Sequence, residues 1–246
     1  MRAVAVIPAR MAASRFPGKP LATLLGAPMV EHVYRRAAMC RELDAVYVAT
    51  CDTDIQTIVE GFGGHVIMTA ASHMRASDRT AEAARMLDAE IIVMIQGDEP
   101  MILPTMIVDA MAPLLESQSV GCANLVKRIT RRQEYEDPNT IKVVRNLRGD
   151  AMYFSRAPIP AVAFDDVASL PVFKQVCVIP FRRDFLLEYA TLPSTPLEQQ
   201  ESIDMLRILE HGGRVRLVET DVDTHAVDTP DDLAIVEARM GARGYP

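Results

Sequence analysis

Ala3-Val4-Ala5-Val6-Ile7-Pro8-Ala9-Arg10-Met11-Ala12-Ala13-Ser14-Arg15-Phe16-Pro17-Gly18-Lys19-Pro20 decides the fold of this chain. It opens with an unbroken apolar run closed by a proline, the pattern of a strand buried on both faces in a parallel sheet. Small, basic and turn-forming residues follow, and helical spacing resumes at Met29, Val33 and Ala37 within Pro28 to Met39. The unit then repeats. Ala45 to Thr50 reads as a strand, Asp54 to Phe62 as a helix stopped by Gly63-Gly64, and His65 to Met68 as a strand. Thr80 to Leu87 reads as a helix, and Ile91 to Ile95 as a strand that delivers Gln96-Gly97-Asp98-Glu99-Pro100 at its C-terminal end. Such alternation predicts an α/β fold with a mostly parallel sheet, and ligand loops in these folds lie beyond the C-terminal ends of the strands.

After Pro104 a helix is expected to Leu115, and then the texture changes. Gly121 to Ile129, Ile141 to Val144 and Ala151 to Phe154 read as strands, and the proline-containing stretch Ser155 to Pro171 as a loop or flap. Phe185 to Tyr189 and Gln200 to Glu210 read as helices, and Val215 to Val218 as a strand. Thr229 is placed to cap a last helix that starts at Pro230. With no internal repeat and no long linker, residues 1–246 are read as a single domain, with about 120–190 as sheet extension and flap.

The 246 residues are 49% hydrophobic and 24% charged, which is the composition of a globular enzyme that needs no staples. A net charge of -7 argues against nucleic acid as a partner, because phosphate-backbone binding needs a broad basic footprint. The apolar runs are too short to cross a bilayer, and Met1 to Ala9 lacks a signal pattern, so a cytoplasmic protein with no membrane partner is expected. Cys40, Cys51, Cys122 and Cys177 form no CxxC pair and are read as reduced structural thiols.

Chemistry concentrates in the opening loop. Arg10, Arg15 and Lys19 occupy a stretch of small residues between a strand and a helix, where backbone N–H groups can approach phosphate oxygens and cations can offset a departing pyrophosphate. It is not a Walker A loop, since Pro20 follows Lys19, and GxGxxG is absent as well. Asp98 and Asp228 are either carboxylates that satisfy turn and cap donors or ligands for a cation.

The chain resembles the CMP-Kdo synthetase family, the 3-deoxy-manno-octulosonate cytidylyltransferases, over nearly its whole length. The carrying stretches are IPARMAASRFPGKPL from Ile7, the segment His73 to Glu82 with the base-recognition loop His73 to Arg79 that the resemblance implies, QGDEP at 96–100, DPNTIKVV at 137–144, YFSRAPIP at 153–160 and VDTPDDL at 227–233. The resemblance implies a Rossmann-like nucleotidyltransferase fold whose mixed, mostly parallel sheet is flanked by helices. It also implies a projecting hairpin region used in homodimerisation. By the same resemblance Arg10 and Lys19 are catalytic, and Ala9, Ser14, Arg15, Ala76, Ser77, Arg79, Gln96 and Asp98 join them in binding CTP. Asp98 and Asp228 become Mg2+ ligands, and Arg75, Arg156, Gln175 and Asp204 fall to the acceptor.

The acceptor end departs from the family pattern. Arg75-Ala76-Ser77-Asp78-Arg79 stands where relatives read Ser-Gly-Thr-Glu-Arg, and a positive φ at that glycine position would strain Ala76 by about 1 kcal/mol. A sugar-contacting histidine and tyrosine are replaced by Gln175 and Ile179, and an acidic partner is shortened to Asp204. The expected activity is transfer of CMP from CTP to a small acidic acceptor, a Kdo-type 2-keto sugar acid, with release of pyrophosphate. A phosphonate or phosphonocarboxylate acceptor and a non-catalytic nucleotide-binding protein are the two alternatives.

Overall fold

The computed structural model describes residues 1–12, 16–161 and 172–242. Ser14 and Arg15, and most of the expected flap, lie outside the described residues. The chain divides into two compact units, Met1–Val108 with Thr224–Pro246, and Asp109–Asp223.

The first unit begins with β1 (Ala3–Pro8), the hairpin β2 (Thr23–Leu24) and β3 (Ala27–Pro28), and α1 (Met29–Ala38). It continues through β4 (Ala45–Thr50), α2 (Thr53–Gly61), β5 (His65–Met68), α3 (Ala76–Arg85) and β6 (Ile91–Ile95). Strands β6, β1, β4 and β5 lie side by side in that order, all parallel. The apolar run of β1 is explained by its central place, since Val4 to Ile7 are buried between two neighbouring strands. From β1 the chain winds one way through β4 to β5, and β6 returns to the opposite side of β1. Beyond the C-terminal ends of β1 and β6 there is therefore a topological switch point, the crevice where open α/β sheets bind ligands.

Helix α4 (Pro104–Glu116) contains the boundary between the units. The second unit holds β7 (Ala123–Arg128), α5 (Arg132–Glu136), β8 (Lys142–Arg145), β9 (Ala151–Ser155), β10 (Phe173–Gln175) and β11 (Val178–Arg182). It ends with α6 (Arg183–Tyr189), α7 (Pro196–Glu201), α8 (Met205–Glu210) and β12 (Arg216–Glu219). Here β12, β7, β10, β8 and β9 are neighbours in that order, with β12 and β7 parallel and the other pairs antiparallel. The last helix, α9 (Pro230–Ala242), belongs to the first unit, where Val236 and Met240 pack with Leu24, Met29, Met101 and Val227. No helix among the described residues is long and apolar enough to cross a membrane.

Three sequence expectations are corrected. Helix α3 starts at Ala76, four residues before the expected Thr80. Its first turn buries Ser77, Arg79 and Thr80 instead of apolar side chains, so no hydrophobic period marks it. The condition for strain at Ala76, a positive φ, is not met, because among the described residues only Leu25 and Ser202 are non-glycine residues with positive φ. Ala76→Gly is expected to lose up to about 1 kcal/mol by urea unfolding, and a gain in stability would restore the strain argument.

The helix expected from Gln200 to Glu210 is broken at Ser202, whose φ is 58°. In an unbroken helix Glu198 and Arg207 would stand roughly 13 Å apart along the axis. The break lets them meet instead: Arg207 donates from Nη2 to Glu198 Oε1 at 2.6 Å and from Nε to Glu198 Oε2 at 2.8 Å, with both side chains buried. Strands β10 and β11 are the third difference. One carries Lys174 and Gln175 and the other Pro180, which hides both from a search for apolar runs.

Candidate functional site

The end of β1 and the end of β6 form one cleft of about 250 Å3 in the first unit, lined by Ala9, Arg10 and Lys19 from one side and by Gln96 and Asp98 from the other. The loop after β1 is folded onto itself: Gly18 N–H donates to the Met11 carbonyl at 3.0 Å, and Gly18 takes a φ of 73° that favours glycine. Asp52 Oδ2 accepts from Met11 N–H at 2.9 Å, tying the loop to the end of β4. These bonds deliver Lys19 at the start of a 3₁₀ turn over Lys19–Leu21.

Lys19 is the hub of the cleft. Its Nζ donates to Asp98 Oδ2 at 2.8 Å and to the Val227 carbonyl at 2.9 Å, and lies 3.7 Å from Asp228 Oδ1. The three side chains are only 15–16% exposed, so their charges interact through less water than surface pairs do. Val227 N–H donates to the Asp98 carbonyl at 2.9 Å, which fixes the chain before α9 against the turn after β6. Residues 19, 98 and 228 meet by these bonds and by the apolar cluster of Leu24, Met101 and Val227.

Asp98 Oδ1 is buried and has no hydrogen-bond partner. A buried carboxylate oxygen without a donor is costly, and a bound cation would relieve it. Among the described residues no group of three or more His, Cys, Asp or Glu side chains is placed to hold a metal ion, and the carboxylates that line the cleft are Asp98 and Asp228. That fits magnesium, which is ordinarily held by one or two carboxylates with substrate phosphates and water completing its shell, and not a dedicated protein cage. Asp98 can keep Lys19 on Oδ2 while offering Oδ1 to the ion.

The opposite wall is the segment before α3 and its first turn. Arg75, Ala76 and Arg79 line the cleft, as the sequence analysis places them in the ligand region, whereas Ser77 is fully buried and does not line it. Arg79 is itself 2% exposed, with its guanidinium on the Thr69 hydroxyl and 3.5 Å from Cys51 Sγ. Arg75 lines the same cleft as Lys19. Among the described residues four cationic side chains, Arg10, Lys19, Arg75 and Arg79, line the cleft with two carboxylates, an excess suited to a polyanion. The N-terminal end of α3 adds its dipole to that excess.

His73 opens the stretch 73–82 that carries part of the family resemblance, and it lines the cleft; its short contact with Glu82 on α3 is what the sequence does not show. Glu82 also accepts the Ala70 N–H at 3.0 Å. Burial alone would raise the Glu82 carboxyl, but the bonds from Ala70 and His73 outweigh it and hold it below the usual range. No spacing rule marks this pair, because the nine-position separation crosses from a turn into a helix.

The cap role weighed for Asp228 is filled by others. Thr229 Oγ1 accepts from Asp232 N–H at 3.3 Å, and Asp232 Oδ2 accepts from Thr229 N–H at 2.8 Å, as a capping pair does. Asp228 directs its carboxylate at Lys19 instead.

The residues expected at the acceptor, apart from Arg75, lie in the second unit. Arg156 donates from Nε to the Glu201 carbonyl at 2.7 Å and from Nη1 to the Pro138 carbonyl at 3.1 Å. Gln175 Nε2 donates to Asn124 Oδ1 at 2.5 Å, and Asn124 is itself held by the Leu125 and Val176 carbonyls. Asp204 is the N-cap of α8, and its carbonyl accepts from the Tyr189 hydroxyl at 3.3 Å. Ile179 is buried core, 1% exposed.

Comparison with known proteins agrees with this architecture. A protein-family profile described as "Cytidylyltransferase" matches residues 4–219. A 3-deoxy-manno-octulosonate cytidylyltransferase of Syntrophotalea carbinolica is 49% identical, covering 98% of this chain and 99% of its own length. One from Geobacter metallireducens is 46% identical, covering 98% of each. Among solved structures, one described as CMP:2-keto-3-deoxy-manno-octonic acid synthetase complexed with CTP superposes with a TM-score of 0.90 at 39% identity, over 99% of this chain and 100% of that one. A far more distant likeness, to a 4-diphosphocytidyl-2C-methyl-D-erythritol synthase of Anaerococcus prevotii at 15% identity and a TM-score of 0.64, speaks for the fold alone. The switch-point cleft, its cationic wall and these near full-length matches place the chain in the 3-deoxy-manno-octulosonate cytidylyltransferase family.

Proposed function

We propose that this chain transfers CMP from CTP to the anomeric hydroxyl of 3-deoxy-manno-octulosonate, with Mg2+ held by Asp98 and Asp228. The observation that carries the reading is Lys19 gripped between those two carboxylates at the switch point, with Asp98 Oδ1 left buried and unpartnered. The acceptor oxygen attacks the α-phosphorus, the bond to the bridging oxygen breaks, pyrophosphate leaves, and the hydroxyl proton passes to solvent. Arg10 and Lys19 offset the charge that builds on the leaving pyrophosphate. When bound, magnesium neutralises phosphate charge and lowers the pKa of the attacking hydroxyl. Gln96, Ala76 and Arg79 also line the cleft, and in this reading they contact the nucleotide.

The names of the relatives support the octulosonate over a phosphonate acceptor, and they are names of enzymes, which counts against a purely binding role. A cytoplasmic homodimer, as the family resemblance implies, is part of the same proposal. Phosphorus NMR of the protein with CTP, Mg2+ and the octulosonate should show pyrophosphate and a new CMP phosphodiester growing together. Loss of CTP to CMP and pyrophosphate without the phosphodiester would reject the transfer.

A further inference from the structure

We propose that Asp232 is the positioning residue for Asp228: it folds the turn before α9 so that, of the three carboxylates at 228, 231 and 232, Asp228 alone faces the cleft. This rests on the reading of Asp228 as a cation ligand. One oxygen of Asp232, Oδ2, accepts from Asp228 N–H at 3.1 Å, Thr229 N–H at 2.8 Å and the Thr229 hydroxyl at 2.7 Å. The other, Oδ1, lies 2.8 Å from His225 Nε2. His225, Asp228 and Thr229 are thereby wrapped around one carboxylate on the first turn of α9.

A carboxylate so fully engaged has little capacity left for a metal ion, and its charge is already offset. The backbone it grips is the one that matters to the site. Val227, one residue earlier, donates to the Asp98 carbonyl and accepts from Lys19 Nζ, and Asp228 Oδ1 faces that same ammonium. An ordinary helix cap would need only the reciprocal bonds between Thr229 and Asp232. The added bond to Asp228 N–H and the contact with His225 tie the cap to the cleft. Outer partners that orient a ligand in this way commonly carry about 10–100-fold of metal affinity.

The test uses Mn2+ as the probe, titrated by electron paramagnetic resonance into the full chain with CTP present, alongside Tm. Asp232→Ala should weaken Mn2+ binding about 10-fold or more. Asp232→Asn, which keeps an oxygen for the Asp228 and Thr229 amides, should restore most of that loss. Thr229→Ala should lower Tm, as loss of a cap does, with Mn2+ affinity unchanged. If Asp232→Ala weakens Mn2+ no more than Thr229→Ala does, Asp232 is a cap and the proposal fails, even where Asp228→Asn does weaken the ion. If Asp228→Asn leaves Mn2+ binding intact, the ligand reading itself fails and takes the proposal with it.

Discussion

Lys19→Ala is expected to lower kcat by about 100-fold or more, the scale on which enzymes lose a charge-stabilising donor. The lysine has two tasks in this cleft, and both are lost together. It is a cation within reach of both Asp98 and Asp228, and in the reaction it meets the charge of the departing pyrophosphate. Removing one partner of a sheltered ion cluster leaves uncompensated charge, so CTP binding should weaken as well as turnover. Lys19→Arg should rescue poorly, because a planar guanidinium does not match a point that donates to one carboxylate and one carbonyl. Steady-state kinetics with pyrophosphate detection reads the result. Turnover within a few-fold of the unsubstituted protein would remove Lys19 from the mechanism.

Asp98→Asn is expected to lower kcat by a comparable factor, with a raised requirement for Mg2+. The amide keeps the shape of the side chain and one oxygen for Lys19, and the Val227 bond runs to the Asp98 backbone, so the fold should hold. What disappears is the negative charge and the unpartnered oxygen, Oδ1. Calorimetry should then show weakened Mg2+ binding in the presence of CTP, with Tm little changed. A variant that binds the ion normally but turns over slowly would make Asp98 a partner of Lys19 and not a metal ligand.

The parallel strands are legible in the sequence because burial on both faces writes them as continuous apolar runs, as in Val4 to Ile7 and Ile91 to Ile95. Elements shaped by polar burial are not. Helix α3 hides its start behind Ser77 and Arg79, and the break at Ser202 is explained only by the meeting of Glu198 with Arg207. The site divides in the same way. Lys19, Asp98 and Asp228 each stand out beside a strand or helix end, but their meeting depends on bonds such as Lys19 to Val227, 208 residues apart. His73 and Glu82 bound a stretch that resembles the family, but their pairing is not written in it, and Asp232 looks like any capping residue until its bond to Asp228 N–H is seen. Arg156, Gln175 and Asp204 are held by Glu201, Asn124 and Tyr189, partners that no spacing in the sequence would have paired with them.

The central claim is that CMP passes from CTP to the octulosonate, and a direct comparison of acceptors tests it. With CTP and Mg2+ held at saturation, kcat/KM for 3-deoxy-manno-octulosonate should exceed that for a phosphonocarboxylate by roughly 1,000-fold or more, as a site that hydrogen-bonds its substrate's hydroxyls discriminates. Efficient turnover of the phosphonate with little or none of the sugar acid would contradict the account.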